Sequence, residues 1–289
     1  MRLLVAGARG MLAHDVRRAA ERAGHELVLC GRPQLDVTDE QSVIDLFERE
    51  RPQAAINCAA WTDVDGAESN AEAAYAVNAD GAGNLARAAA RLDAPLVHIS
   101  TDYVFDGKAP RDDAGRPRPY VESDPTGPRS VYGETKLAGE REVLAASPRH
   151  TVVRTAWLYG LHGSNFVETM LHLAGEREAV QVVTDQVGCP TWTGHLGPAL
   201  VGLIEREVRG LVHLAGAGRA SWNEFAAEAF RQAEVDCRVQ EITSERMPRP
   251  ARRPEWSVIE SERDDVIPMP DWRDGLAEYL AARMGVTRG

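Results

Sequence analysis

The sequence predicts an α/β protein built on a doubly wound parallel sheet, with a smaller C-terminal α/β part. Three observations carry that expectation. Short apolar runs of strand length alternate with amphipathic stretches of helix length through the first half of the chain, the pattern of βαβ units. A turn containing two glycines joins the first apolar run to the first amphipathic stretch. The length, 289 residues, exceeds the ~150 typical of one domain and leaves room for a second part.

Taken in order, residues 3–6 (Leu-Leu-Val-Ala) are a continuous apolar run, as a strand buried on both faces requires. A helical period follows over 12–23, then a second strand over 26–30. Thr38 or Asp39 caps a helix that runs to residue 49, because a short oxygen-bearing side chain accepts from the free N–H groups of a first turn. Residues 54–58 form a third strand, the alanine-rich 71–91 a helix, and 95–99 a fourth strand. Residues 131–146 are helical and 151–155 extended. Between them, 107–129 is rich in Pro, Gly, Asp and Arg without an apolar period; its length suits a functional surface loop better than a bare connection. Beyond 155 the rhythm loosens. Helices are expected near 165–173, 194–206, 222–232 and 271–283, and the Pro/Arg-rich 248–254 runs extended for part of its length. The expected organisation is a sheet-bearing unit over 1–155 and a smaller unit over 156–289, with some exchange of chain between them.

Composition excludes several functions. Against 33 Lys and Arg stand 44 Asp and Glu, a net charge of −11, so no nucleic acid is expected as a partner. With 44% hydrophobic and 27% charged residues the chain is too apolar to be disordered. No apolar run approaches membrane-spanning length, and the run at the start of the chain breaks on Gly7, too early for a signal peptide. Neither a membrane nor a secreted location is expected; the expected location is the cytoplasm. Cys30, Cys58, Cys189 and Cys237 lie far apart, which excludes a zinc ribbon and argues against a disulfide framework. The eight histidines show no paired metal-ligand spacing, and no metal is expected.

The chemistry concentrates in three places. Gly7-Ala8-Arg9-Gly10-Met11-Leu12-Ala13 follows the first strand and opens the first helix. Glycines there let the backbone approach a pyrophosphate, which the helix N-terminus then binds through free N–H groups. Two glycines also make an ordinary tight turn; the placement after a first strand separates the readings. Tyr132 and Lys136 stand four apart on a predicted helix and so share a face. An ammonium beside a phenol stabilises the phenolate and lowers its pKa from ~10. Most Tyr-x-x-x-Lys pairs are surface residues. This one follows Ile99-Ser100-Thr101-Asp102-Tyr103 at the end of the fourth strand, and the carboxyl ends of parallel strands form the ligand crevice. A hydroxyl there, followed by a Tyr/Lys helix, makes a carbonyl-polarising set.

With Gly7-x-x-Gly10, Thr101 and Tyr132-x-x-x-Lys136 in place, the chain resembles the extended short-chain dehydrogenase/reductases, whose fold is the NAD(P)-binding Rossmann fold. Further stretches make it similar to the dTDP-4-dehydrorhamnose reductase family within them. These are Asn57-Cys58-Ala59-Ala60-Trp61-Thr62-Asp63-Val64-Asp65, Ser100-Thr101-Asp102-Tyr103-Val104-Phe105-Asp106-Gly107, Asp185-Gln186-Val187-Gly188-Cys189-Pro190-Thr191 and Arg253-Pro254-Glu255-Trp256-Ser257. The resemblance spans nearly the whole chain. It implies that Gly7, Gly10, Met11 and Leu12 hold the dinucleotide phosphates, that Asp36 and Val37 flank the adenine, and that Ala59, Ala60 and Thr62 line the cofactor channel. Thr101, Tyr132 and Lys136 are then catalytic, with Tyr132 and Lys136 also touching the cofactor. Val64, Thr101, Asp102, Tyr103, Trp157 and Asn165 face a dTDP-sugar. The implied reaction is NAD(P)H-dependent reduction of a C4 ketone in the second, substrate-binding unit. A homodimer is an assembly the resemblance allows. A 4-ketoreductase of another nucleotide deoxysugar is the rival in the same class. A non-catalytic dinucleotide-binding protein like the regulatory subunit of methionine adenosyltransferase is the rival outside it.

The residues after the second strand bear on cofactor choice. A carboxylate there accepts from the adenosine 2′-OH and repels a 2′-phosphate, yet Leu29-Cys30-Gly31-Arg32 has none before Asp36. Arg32 either pairs with a 2′-phosphate or points to solvent; the expectation is NADPH, with NADH also accepted. Other residues have plainer readings. Arg154 is a structural ion-pair partner or lies near the substrate diphosphate, 185–191 is a pocket segment or a turn, and His98 is a satisfied core residue.

Overall fold

The computed structural model describes residues 1–286. The expected strands are β1 (Arg2–Ala6), β2 (Glu26–Cys30), β3 (Ala54–Asn57), β4 (Leu96–Thr101) and β5 (Thr151–Thr155). The helices of this half are α1 (Met11–Arg22), α2 (Glu40–Glu50), α3 (Val64–Ser69), α4 (Ala71–Tyr75), α5 (Gly81–Arg91) and α6 (Val131–Ala146). Asp39 is the cap of α2, its carboxylate accepting from the N–H groups of Gln41 and Ser42. The second half supplies β6 (Ala179–Val183), β7 (Gly210–His213), β8 (Arg238–Ile242), α7 (Phe166–Ala174), α8 (Thr193–Glu205), α9 (Trp222–Gln232) and α10 (Trp272–Val286), together with several two-residue ladders.

Among the described residues the main sheet is parallel, with strand order β7-β5-β4-β3-β1-β2. Successive side chains along a strand point to opposite faces. Leu3, Val5, Ile56, Val97 and Val153 therefore pack on α1 and α8, through Leu12, Val16, Leu196 and Leu200. Leu4, Ala6, Ala55, Leu96 and Val152 pack on α2, α5 and α6, through Phe47, Leu85 and Val143. Both faces are covered, which is what near-continuous apolar strands demand. The order reverses between β1 and β3, so their carboxyl ends open the crevice in which doubly wound folds bind ligands. The sixth strand, β7, and its covering helix α8 come from beyond residue 155: the second half of the chain completes the sheet of the first.

Two segments depart from expectation. The helix expected over 71–91 is interrupted by a π turn, Ala76–Asp80. There Asn78 turns inward: it accepts from Trp61 N at 2.8 Å and donates to Trp61 O at 3.1 Å and Thr135 Oγ1 at 3.0 Å. Gly139 of α6 lies so close to Asn78 O that a Cβ would stand 2.1 Å from it. The short α3, capped by Asp63, has too few turns to show a period. The loop 107–129 is anchored rather than loose. Tyr120 stacks on Phe105 at 4.1 Å, and the Glu122 carboxylate accepts from His213 N, Ser261 Oγ and Glu262 N. The second half holds β6 parallel to β8 and an aromatic core of Tyr159, Phe225, Trp272 and Tyr279. Among the described residues, no helix is long and apolar enough to cross a membrane.

Candidate active site

The glycine turn is shaped by close approach. Gly7 has φ +74°, and a Cβ there would lie 2.5 Å from Ala59 N, so only glycine brings the β1 turn against the end of β3. Gly10 is the N-cap of α1 and has no side chain to close the first turn, leaving the Met11 and Leu12 N–H groups for an external acceptor. Leu12 offers only its backbone, since its side chain is in the core. The residues fit a dinucleotide: an exposed Gly10, a bare helix N-terminus and half-buried Ala59 and Ala60 across the turn.

At the end of β2, Arg32 is exposed and its charge reaches Asp36. Asp36 itself is committed to Thr38, accepting from its N–H at 3.0 Å and its hydroxyl at 2.7 Å; these bonds hold its carboxyl below the ordinary range. Val37 is buried and its carbonyl accepts from Asn84 Nδ2 at 3.0 Å. Thr62 is exposed. A residue the sequence reading passed over joins this corner: the Arg9 side chain crosses over Gly31, where a Cβ would be 3.3 Å from its Cγ and Nε. The signal was its place within the glycine turn.

The opposite side of the crevice is built on β4 and α6. Ser130 caps α6, accepting from Gly133 N at 3.2 Å. Gly133 lets the helix approach Tyr103, where a Cβ would meet the carbonyl oxygen at 2.3 Å. Tyr132 thereby stands edge-on to Tyr103 at 5.6 Å, with Thr101 near enough to influence its phenol. Thr101 ends β4; its hydroxyl donates to Asp102 Oδ1 at 2.9 Å and accepts from Tyr103 N at 3.2 Å. One turn along α6, Lys136 donates to Ile99 O at 2.6 Å. Thr101, Asp102, Tyr103, Tyr132 and Lys136 are thus brought together.

Burial dominates the electrostatics here. It pushes Asp102 up to about 6 and lowers Lys136 to about 8, partly opposed by Glu140. Tyr132 is pushed up to about 12 by desolvation, a rise that Thr101 eases and the nearby Asp102 carboxylate adds to. The expectation that Lys136 lowers Tyr132 is corrected: the ammonium is turned to the Ile99 carbonyl rather than to the phenol. Arg154 takes its structural reading, a buried bidentate pair with Glu140 at 2.9 and 2.7 Å, whose carboxylate also accepts from Ser100 Oγ.

The third side comes from the second half of the chain. A cavity of about 340 Å³ lies between Tyr103, Phe166, Gln186, Trp222, Arg249 and Arg253. Asp65, the second residue of α3, holds Arg253 at 2.9 Å and Arg249 at 3.5 Å and so ties this wall to the sheet unit. Val64 opens the same helix. Trp157 lies flat on Trp222, 3.5 Å between centroids, with Gly188 beneath it. It supports the wall from behind. Asn165 is committed to structure: it caps α7 by accepting from Glu168 N and donates to Gly160 O. None of the two arginines and the aromatic pair Phe166 and Trp222 is given a site role by the sequence: Arg253 and Phe166 stand only within resembling stretches and Trp222 reads as packing. A Pro/Arg-rich segment in an acidic chain was the available signal for the arginines.

Comparison with known proteins gives one consistent result. The family described as RmlD substrate binding domain matches residues 1–284. A dTDP-4-dehydrorhamnose reductase of Mycolicibacterium smegmatis is 46% identical over 292 aligned residues, covering 99% of this chain and 87% of that protein. A probable dTDP-4,6-dihydroxy-2-methyloxan-3-one 4-ketoreductase of Streptomyces antibioticus is 42% identical, covering 100% and 99%. The crystal structure of dTDP-4-dehydrorhamnose reductase from Bacillus anthracis in complex with NADP is 35% identical, with TM-score 0.92, over 97% of this chain and 99% of that one.

Proposed function

The chain belongs to the RmlD substrate binding domain family, and from that premise we propose that it reduces the C4 ketone of dTDP-4-dehydrorhamnose to give dTDP-L-rhamnose with NADPH. The observation that carries the reading is the convergence of Thr101, Tyr132 and Lys136 at the carboxyl end of β4. It lies between a glycine turn fit for a dinucleotide and a cavity walled by aromatics and two arginines.

Gly7, Gly10 and the Met11 and Leu12 N–H groups would hold the cofactor phosphates, with Asp36 and Val37 by the adenine and Ala59, Ala60 and Thr62 along the channel. When bound, the cofactor supplies a hydride to C4. Tyr132 gives its phenolic proton to the C4 oxygen; a pKa raised by burial keeps that proton in place at neutral pH. Thr101 steadies the Tyr132 hydroxyl and reaches the same oxygen once its own O–H rotates away from Asp102. Tyr132 needs no such turn, and a donor already in place stabilises the developing alkoxide with little reorganisation. Lys136, held at Ile99 O, turns its remaining N–H bonds toward the cofactor ribose. Val64, Asp102 and Tyr103 border the sugar, and Trp157 and Asn165 act there through the elements they brace. Arg249 and Arg253 suit the diphosphate, as charge-assisted donors do. NADH is accepted more weakly, because Arg32 favours a 2′-phosphate. A cytoplasmic location follows from two charged substrates that do not cross membranes unaided.

A second reading, a 4-ketoreductase of a different dTDP-sugar, is favoured by the Streptomyces antibioticus relative. The same assay separates them: NADPH and a panel of nucleotide 4-ketosugars, with the product resolved by NMR. dTDP-L-rhamnose supports the first reading. The C4 epimer, or turnover confined to another sugar, supports the second. No NADPH oxidation with any member contradicts both.

A further inference from the structure

The buried groups behind Lys136 are not used by the reaction described above, yet they form a directed line. His98 of β4 is fully buried. Its Nδ1 is 3.0 Å from Asn57 Nδ2, and its Nε2 is 3.4 Å from Lys136 Nζ. Asn57 has no freedom to flip, because Ala59 N donates to its Oδ1 at 2.9 Å. An oxygen must therefore face Ala59 and the NH2 group must face His98. A ring nitrogen that accepts from an amide cannot also carry a proton in neutral imidazole, so the His98 proton sits on Nε2, aimed at Lys136.

We propose that Asn57 and His98 are positioning residues for Lys136: Asn57 fixes the His98 tautomer so that Nε2–H faces the amine, and the ring never accepts from the ammonium. Two consequences follow, both resting on the reductase reading of the site. First, the ammonium has Ile99 O as its partner on the buried side, so its other two N–H bonds stay turned to the crevice. Second, an N–H pointing at the amine favours its neutral form, so the relay helps set where Lys136 loses its proton. Burial works in the same direction and brings Lys136 to about 8. The groups that face it from the surrounding elements are few. Cys58 follows β3 and is itself raised to about 12. Glu140 and Tyr132 share α6, and Arg154 of β5 reaches Lys136 only through Glu140. His98 stays neutral, since burial and the nearby ammonium both lower it.

The test reads the tautomer directly and then its effect. Long-range ¹⁵N–¹H correlation on the ¹⁵N-histidine-labelled full chain, with His98 identified by its loss in His98→Phe, is expected to show a neutral ring protonated at Nε2 from pH 6 to 9. A proton on Nδ1, or a ring that protonates near pH 6.5, overturns the proposal, and the observation is made on the wild-type chain, His98→Phe serving only to assign the signal. Asn57→Asp replaces the amide donor by an acceptor and is expected to move the His98 proton to Nδ1. The basic limb of the kcat/KM profile should then rise by ~1 pH unit, because the ring now accepts from the ammonium. Added negative charge raises it as well, so the same substitution is made in His98→Phe. The shift should then shrink to less than half; an equal shift in both backgrounds overturns the relay. Wild-type protein without ketosugar turnover defeats the reductase reading instead, and leaves the tautomer measurement standing.

Discussion

The two walls of the crevice that meet at Tyr103 are built on opposite plans. The wall of β4 and α6 is regular structure with most of its buried polar groups paired: Thr101 to Asp102, Lys136 to Ile99 O, Glu140 to Ser100 and Arg154, while Asp102 Oδ2 and Arg154 Nη1 have no hydrogen-bond partner among the described residues. The wall of the second half is aromatic and charged, taken from α7, α9 and the 249–253 segment, and its Arg253 is held by Asp65 of α3 in the sheet unit. The contrast assigns labour. Reacting groups need fixed geometry and sit where backbone hydrogen bonding fixes it. The proposed sugar-nucleotide contacts are mixed: Phe166 and Trp222 sit at helix starts, and Arg249 and Arg253 on a connection, the kind of segment that varies most readily.

Substitutions on the first wall should therefore act on kcat and stability, and those on the second on KM. Tyr132→Phe should lower kcat by ~10²-fold or more, the range of a lost general acid, with NADPH affinity unchanged by fluorescence titration. Turnover within a few-fold of wild type would assign the proton to another group. Glu140→Gln leaves the Arg154 guanidinium buried without its counter-charge, both side chains being only 4% exposed. Unfolding free energy in urea should fall by ~3–5 kcal/mol; a loss below ~1 kcal/mol would mean that the first wall is not rigid in the sense described. Arg253→Ala should raise KM for the sugar nucleotide about 10-fold, the worth of one charge-assisted hydrogen bond, with kcat little changed. Arg32→Ala, at an exposed site, should weaken NADPH by a factor of ~5 and leave NADH almost untouched, as expected of a screened ion pair. No loss for either cofactor would return Arg32 to the solvent and leave Arg9 to explain any preference; equal losses would mean that Arg32 touches a part common to both.

The same division explains what the sequence made legible. β2 and β5 were read to the residue as short β-branched and apolar runs, and α6 and α9 by their caps, as Ser221 with Glu224 in a capping box shows for α9. The π turn was not, because it is imposed from outside by Asn78 reaching Trp61 and Thr135, a contact no local window contains. Thr101, Tyr132 and Lys136 were found because helix spacing and a strand end bring them together. The place of Arg253 and Phe166 in the cavity wall was not, because the cavity joins segments whose only link is tertiary. His98 was read as a core histidine, which it is; its relation to Lys136 depends on two strands and a helix meeting.

The central claim is the separation of chemistry from selectivity across the crevice, and paired steady-state kinetics of Tyr132→Phe and Arg253→Ala test it most directly. The account predicts a kcat lower by ~10²-fold with KM within about threefold for Tyr132→Phe, and the reverse pattern for Arg253→Ala. A Tyr132→Phe enzyme that loses substrate affinity at full kcat, or an Arg253→Ala enzyme that loses kcat at unchanged KM, would contradict it.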